Sequence, residues 1–172
     1  MMKQIKNTTV KKLCSLVLVT ALIVTGLVYQ PAKTAQAAPS CKSLAKAALK
    51  STGGTSYLKY TSKSAKDFGA LGKSARKKVK SIKYLFDDNE VYSICVMKAK
   101  KTSGAKSLLK TLKKYKKNNC SSDYYMSDYS ATEQAVLKNA ICGRKGKYVW
   151  YIAMSENKDT NTSGQKAIKK KF

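Results

Sequence analysis

The chain has 172 residues, of which 35 are lysine or arginine, nine are aspartate or glutamate and none is histidine, so its formal net charge is +26. Without histidine the chain has no Ser-His-Asp triad, no Cys-His pair and no histidine-ligated metal. This charge excess creates a long-range field that attracts anions, and it opposes folding through self-repulsion.

The first 37 residues have the pattern of a secretory signal peptide. A patch of four lysines precedes an uncharged run from Leu13 to Ala32, and an Ala-x-Ala segment follows at Ala35 and Ala37. We predict cleavage after Ala37 and export of residues 38–172 as one domain. An uncleaved membrane anchor is the alternative, because about twenty apolar residues span a bilayer and the lysines would hold the N-terminus in the cytoplasm.

The predicted mature chain is dominated by lysine. Removing the five lysines of the leader leaves 30 basic and nine acidic residues, a net charge of +21. Arg76 and Arg144 are the only arginines. Lysine acts as a hydrated point charge, whereas oriented recognition of phosphate or guanine favours the forked guanidinium of arginine. The composition therefore predicts diffuse attraction to a polyanion rather than specific readout.

An even number of cysteines remains once Cys14 leaves with the leader: Cys41, Cys95, Cys120 and Cys142. In an exported chain this predicts two disulfides, with three possible connectivities. Zinc binding is the alternative, but the chain has no Cys-x-x-Cys knuckle and no histidine. The residues before Cys41, "APS", include a proline and no leucine, and about eleven residues separate Cys41 from the apolar stretch that ends at Tyr29, so we do not expect lipidation there.

The first element predicted after the leader is a helix that begins after Ser40 and ends at Gly53 and Gly54. Its inner face would hold Cys41, Leu44, Ala45 and Ala48. Residues 51–80 are rich in serine, lysine and glycine, and their apolar spacing assigns no clear element. Residues 38–80 are therefore the least defined part of the domain.

A β-hairpin is the clearest feature of the middle section. The segments "SIKYLF" and "VYSICVMKA" are rich in β-branched and aromatic residues, and "DDNE" between them is typical of a turn. We predict strands over about residues 81–87 and 90–99. Asp87, Asp88 and Glu90 are interpreted as turn residues rather than as a catalytic acid/base pair.

An amphipathic helix is predicted next, from Ser103 as its cap to about residue 117. Its apolar stripe consists of Ala105, Leu108, Leu109, Leu112 and Tyr115. Lys116 points toward that stripe, so we expect the helix to fray there. The opposite face carries four lysines that are candidate anion-binding residues, namely Lys106, Lys110, Lys113 and Lys117. A merely solvated helix face is the alternative for them.

The last third predicts a helix, a strand and a helix. "SATE" at Ser130–Glu133 is a capping box, and the helix that it opens would end at Gly143. "YVWYIAMS" is apolar on both sides and predicts a strand covered on both faces. A short helix follows over about residues 163–171. The element order predicts an α+β domain in which a small antiparallel sheet, the hairpin plus the later strand, has helices packed on one face.

The second half also resembles a known family. The stretches "VYSICVMKAKKTSGAKSLLKTLKKYKKNN", "AVLKNAICGRKGKYVWYIAMSEN" and "AIKKKF", which cover about residues 80–172, are similar to a domain of unassigned function. That domain occurs in secreted proteins and lipoproteins of Gram-positive, clostridia-like bacteria. The resemblance implies an extracytoplasmic bacterial protein and supplies no catalytic residues. This chain differs from the family in its positive charge, its cysteines and its lack of a lipobox.

A tyrosine-containing loop follows the lysine-rich helix. Tyr124, Tyr125 and Tyr129 are candidates for stacking on a sugar or a base. The alternative is that they cover a sheet edge or an opening of the core. Asp123 and Asp128 supply too few oxygens for a calcium loop.

These patterns lead to three alternative hypotheses about the function of the protein. We expect a secreted, surface- or wall-associated protein without enzymatic activity that binds an anionic cell-wall polymer or an anionic lipid surface. Non-specific binding of extracellular nucleic acid is the second hypothesis. A secreted enzyme that uses the tyrosine loop is the third. No glycine-rich nucleotide motif is present, so no cofactor is expected.

Overall fold

An antiparallel sheet forms the centre of the computed structural model, which describes residues 37–172 apart from residue 55 and residues 122–125. The five strands are β1 (Tyr60–Ser62), β2 (Val79–Phe86), β3 (Ser93–Ala99), β4 (Ile141–Lys145) and β5 (Tyr148–Ala153). Their order across the sheet is β1-β2-β3-β5-β4. The predicted leader, and with it the possible anchor, lies outside the described residues. Within the described part, no helix is both long and apolar enough to cross a bilayer.

Helices cover both faces of this sheet. On one face lie α3 (Thr102–Ser121) and α4 (Ala131–Lys138), which share a buried cluster with Cys95 and Tyr151. On the other lie α1 (Cys41–Thr52) and α5 (Lys158–Lys169), which share a second cluster with Trp150. The α+β class is confirmed, but the prediction that the helices pack on only one face of the sheet was wrong. The side chains on both faces of β3 and β5 are largely apolar, so helices have to cover both faces.

The predicted hairpin is present as β2 and β3, with the turn where "DDNE" stands. The Asp87 amide donates to Tyr92 O at 3.1 Å, and the Asp87 carboxylate accepts from the Tyr92 amide, also at 3.1 Å. Glu90 adopts a left-handed conformation with φ 57°. These contacts agree with the interpretation of Asp87 and Glu90 as turn residues.

The section that the sequence left undefined contributes to the core. It contains β1 at the sheet edge and α2 (Lys73–Arg76), a single short turn of helix. Phe68 and Leu71 between them are completely buried. The ring centroid of Phe68 lies 4.8 Å from that of Tyr84, so this segment closes the α3 side of the sheet.

Gly143 does not end a helix, as the sequence suggested, but lies inside β4. The helix α4 ends at Lys138, and β4 and β5 form a second hairpin whose turn contains Gly146 at φ 55°. A Cβ atom on Gly143 would come within 2.3 Å of the indole nitrogen of Trp150. Glycine is therefore required by close packing here, which the helix-stop interpretation overlooked. The predicted capping box of Ser130 and Glu133 is confirmed.

Two other helices are longer than predicted. α3 begins at Thr102, so Ser103 lies in its first turn and is not its cap, and the helix continues to Ser121 without fraying at Lys116. The Lys116 ammonium donates to Ala140 O at 2.7 Å and thereby ties α3 to the chain after α4. α5 begins after Asn157, whose side chain accepts from the Asp159 amide at 2.7 Å.

Candidate anion-binding surface

The lysines of the described part have few carboxylate partners. Lys59 and Asp88 form the single salt bridge found among the described residues, and both side chains are exposed. The positive charge of the remaining lysines is therefore not neutralised by local ion pairs. Such a surface attracts anions over long distances and holds them where lysines converge.

One such convergence lies where β2 and β3 meet the N-terminus of α3, in a cavity of about 360 Å³ that we call the Lys78 cavity. Its lining includes Lys77, Lys78, Lys100 and Lys101 together with Ser107. The Lys100 amide donates to Lys78 O at 2.9 Å, which holds the two lysine pairs next to each other. The Lys78 ammonium donates to the Ser107 hydroxyl at 2.7 Å, so one lysine of this cavity is already anchored to α3.

A second convergence lies on the α1 face of the sheet, in a cavity of about 410 Å³ that we call the Lys83 cavity. Five lysines line it: Lys42, Lys63, Lys80, Lys83 and Lys98. Ser40 caps α1 by accepting from the Ser43 amide at 3.0 Å, and this places Lys42 in the first turn beside the sheet. The register of β2 and β3 pairs Ser81 with Lys98 and brings both strands' lysines to one face.

Like charges lie close to Lys83. Partial burial and the nearby charges of Lys63 and Lys42 lower the pKa of its ammonium. The Lys83 ammonium contacts the hydroxyl of Thr61, which is a neutral partner. Among the residues that line this cavity, none is acidic.

A thiol lies at the wall of the Lys83 cavity. Cys41 Sγ is 3.4 Å from the hydroxyl oxygen of Ser81 and 3.6 Å from Ser81 O. Burial raises the pKa of the Cys41 thiol, although the hydrogen bond to Ser81 and the charge of Lys98 act in the opposite direction. Because its pKa is raised, the Cys41 thiol stays protonated at neutral pH and does not form the thiolate that acts as a nucleophile. Cys41 is therefore a structural contact between α1 and β2.

A third cavity, of about 290 Å³, adjoins the Lys83 cavity and shares Lys98 with it. Lys145, Lys147, Tyr148 and Phe172 also line it. The ammonium of Lys98 lies 5.1 Å from the ring centroid of Tyr148, and that of Lys145 lies 5.0 Å from the ring of Phe172. The two cavities together form a continuous strip of lysines with aromatic rings at one end.

The lysines chosen from the sequence lie elsewhere. Lys106, Lys110, Lys113 and Lys117 are all exposed along the outer side of α3, as the helical periodicity predicted. None of them lines the Lys78 or Lys83 cavity. Most of the cavity lysines lie in or next to β2 and β3, at residues 77–83 and 98–101, where the sequence reads as basic strand ends. Lys42 in α1 and Lys63 after β1 complete the Lys83 cavity. Their convergence depends on sheet register and on the position of α1, which the sequence does not display.

Of the three candidate stacking residues, Tyr124 and Tyr125 lie outside the described residues. Tyr129 is half-buried and packs against the core cluster on the α3 side. It also lines a separate polar cavity of about 370 Å³ with Asp88, Glu90 and Tyr115. Glu90 Oε2 accepts a hydrogen bond from the Tyr84 hydroxyl at 2.9 Å. Burial raises the pKa of the Tyr115 hydroxyl.

All four described cysteines are free thiols, so the two disulfides predicted from the sequence are absent from this arrangement. Cys41 belongs to the core cluster on the α1 face and Cys95 to the cluster on the α3 face. Cys95 and Cys142 each pair with Tyr151, one from each side. Two strand spacings, roughly 9–10 Å, therefore separate them, and cysteines whose Cα atoms are more than about 7 Å apart cannot be bridged without backbone movement.

Within the described residues, no group of three or more cysteine, aspartate or glutamate side chains is placed to hold a metal ion. Comparisons with protein-family models, with curated proteins and with solved structures find no match to this chain. The family resemblance over residues 80–172 therefore stays a prediction. The lysine cavities are the feature of the described residues that bears most directly on function.

Proposed function

We propose that this chain is an exported, non-enzymatic protein that binds an anionic polymer of the cell envelope. The observation that carries the proposal is the convergence of lysines in the Lys78 and Lys83 cavities, with one salt bridge among the described residues. A folded protein accepts such repulsion at a cost in stability, and a polyanion would relieve it. The leader pattern of residues 1–37 supports an extracytoplasmic location.

An anionic lipid surface would match the positive charge of the protein as well as a polymer does, but the exposed apolar side chains of the protein support lipid binding less well. Stable peripheral binding to lipid usually adds inserted apolar side chains to the electrostatic attraction. Among the described residues, the exposed large hydrophobic side chains are Tyr57, Tyr60 and Phe172. Tyr57 stacks on Tyr92 with ring centroids 4.6 Å apart, and Tyr60 lies 5.5 Å from Phe86. These rings pack on their neighbours, which favours a polymer over a membrane.

Nucleic acid is the second candidate, because Tyr148 and Phe172 lie beside the lysine strip. Stacking of bases on aromatic rings next to basic side chains is the usual mode for single strands. However, lysine ammonium groups already face both of these rings. We therefore place nucleic acid below the envelope polymer.

Sedimentation with isolated cell walls tests the proposal. Raising salt from about 0.1 M to about 1 M shortens the Debye length from about 10 Å to about 3 Å, so retention should fall steeply over this range. Retention that is unchanged at the high end would contradict electrostatic binding. Competition with soluble wall polymer and with single-stranded DNA, at equal charge concentration, separates the two candidates. Stronger displacement by DNA would favour the nucleic-acid hypothesis.

A further inference from the structure

The Lys83 cavity differs from a generally basic surface because its lysines come from separate elements. Lys42 lies in the first turn of α1, Lys63 follows β1, Lys80 and Lys83 lie on β2, and Lys98 lies on β3. Four lengths of chain therefore direct their ammonium groups toward one concave region. A stripe on a single helix, such as that of α3, follows from periodicity alone, whereas this convergence requires the tertiary fold.

The interior of the cavity offers these ammonium groups little compensation. The contacts found are neutral: the Thr61 hydroxyl for Lys83 and the face of the Tyr148 ring for Lys98. Partial burial, and after it the charges of Lys63 and Lys42, lower the pKa of Lys83. A group with several negative oxygens would replace this repulsion with charge-assisted hydrogen bonds.

The donors of the lining suit a phosphate group. Neither Arg76 nor Arg144 lines the cavity, so the forked contact of a guanidinium, which matches phosphate and carboxylate alike, is missing, and an anion here has to be held by separate ammonium groups. Lysine binds phosphate as a point charge, and several lysines can share the oxygens of one phosphate group. The hydroxyl of Ser81 in the same lining is a further donor.

We propose that the Lys83 cavity is a binding site for a phosphate or phosphodiester group of the anionic polymer. This inference rests on the proposed function and gives it one defined point of contact. Phosphodiesters occur both in soluble polymers and in lipid headgroups, and the experiment below separates these sources.

The test measures binding of the full chain to three probes by isothermal titration: soluble poly(glycerol phosphate), polyglutamate of matched charge, and vesicles of phosphatidylglycerol. Lys83→Gln and Lys63→Gln remove one charge each inside the cavity. Lys106→Gln removes one charge from the outer side of α3 and serves as the matched control. Lys83→Arg keeps the positive charge, so it tests whether charge at this position is enough to retain part of the affinity for the phosphate polymer.

We expect Lys83→Gln to weaken binding of the phosphate polymer by about tenfold or more, because a hydrogen bond to a charged group is lost. Lys106→Gln should change it by less than about twofold, as expected for one exposed charge. Polyglutamate should bind more weakly than the phosphate polymer and should respond equally to both substitutions. Equal losses for Lys83→Gln and Lys106→Gln with the phosphate polymer would overturn the site while leaving the proposed function intact.

Failure of the unmodified chain to bind any of the probes would instead overturn the proposed function itself. If the vesicles bind, and bind more tightly than the soluble polymer, the phosphate site stands but its source is the lipid headgroup. Equal affinity of the unmodified chain for polyglutamate and poly(glycerol phosphate) would overturn the preference for phosphate.

Discussion

The indole ring of Trp150 occupies the space that a side chain at Gly143 would need. A Cβ atom there would lie 2.3 Å from the indole nitrogen and 2.3 Å from Gln165 Oε1. The indole nitrogen donates to that same oxygen at 3.1 Å, which joins β5 to α5. The close packing of Trp150 on Gly143 and its hydrogen bond to Gln165 therefore fix how α5 packs on the α1 face of the sheet.

Substitution of Gly143 by alanine should destabilise the fold by about 2–3 kcal/mol, because overpacking forces the neighbours to shift. Chemical denaturation followed by tryptophan fluorescence measures this directly, since Trp150 is the single tryptophan of the chain. Gly69→Ala is the matched control, because a Cβ there meets nothing within 4 Å. Equal stability of the Gly143 and Gly69 variants would show that Trp150 does not occupy this position.

Asn161 is a buried polar residue whose amide is fully used. Its Oδ1 accepts from the Met154 amide at 2.9 Å, and its Nδ2 donates to Asn139 O at 3.0 Å and Ser155 O at 2.8 Å. Asn161→Ala should cost about 2–3 kcal/mol, because buried groups lose their partners. Thermal melting should show a large loss for this variant and none for the exposed Lys166→Ala on the same helix. Equal melting temperatures would contradict the hydrogen-bond network.

The cysteines should all be present as free thiols in protein that has not been treated with reductant. Unfolding the chain without reductant should give one reactive group each for Cys41, Cys95, Cys120 and Cys142, in addition to Cys14 where the leader is retained. In the folded protein we expect alkylation at Cys120 first. Burial raises the pKa of Cys142 to about 11 and that of Cys95 well above its usual range. Burial also raises the pKa of Cys120, but less of that side chain is buried, and Lys116 and Lys138 counteract the shift.

Peptide mapping after iodoacetamide treatment checks both the order and the number of thiols. Cys120→Ser should remove the fast-reacting group and leave the others unchanged. Recovery of any cross-linked cysteine pair from the unreduced protein would restore the disulfides predicted from the sequence and contradict the free thiols of the structure.

Lys83→Gln should raise the melting temperature of the ligand-free protein. The pKa of Lys83 is lowered in the fold, so its charged form is disfavoured relative to the unfolded chain. That penalty is present at neutral pH and is relieved as the pH rises through the folded pKa toward the ordinary value. Lys106→Gln changes the net charge equally and should have a smaller effect. A lower melting temperature for Lys83→Gln than for Lys106→Gln would contradict the crowding of charge.

Stability should depend on pH through Glu133. The hydrogen bonds that its carboxylate accepts from the Ser130 side chain and backbone lower its pKa from the ordinary 4.5. The stabilisation is therefore complete above about pH 4.5 and is lost as the pH falls through the folded pKa. Glu133→Gln should lower stability at pH 7, and its difference from the parent should shrink toward pH 3. The exposed Glu156→Gln serves as control, and a constant difference across this range would contradict the capping role.

Local signals in the sequence determined several elements correctly. Ser40 and Gly53 bound α1, Ser130 and Glu133 open α4, and the β-branched runs around "DDNE" form the hairpin. Each of these depends on residues within a few positions of one another, which is why pattern alone sufficed. The exposed lysine stripe of α3 follows from the same helical period.

The tertiary structure decided the features that involve distant residues. β4 was hidden because Gly143 resembles a helix stop, and its requirement for glycine comes from Trp150 across the hairpin. Cys41 and Cys95 are kept apart because they lie in clusters on opposite faces of the sheet, and Cys95 and Cys142 are kept apart because two strand spacings separate them. The Lys83 cavity likewise exists because register and the capping of α1 bring lysines from separate elements together. Composition fixed the sign and size of the charge, but only packing could determine where that charge converges.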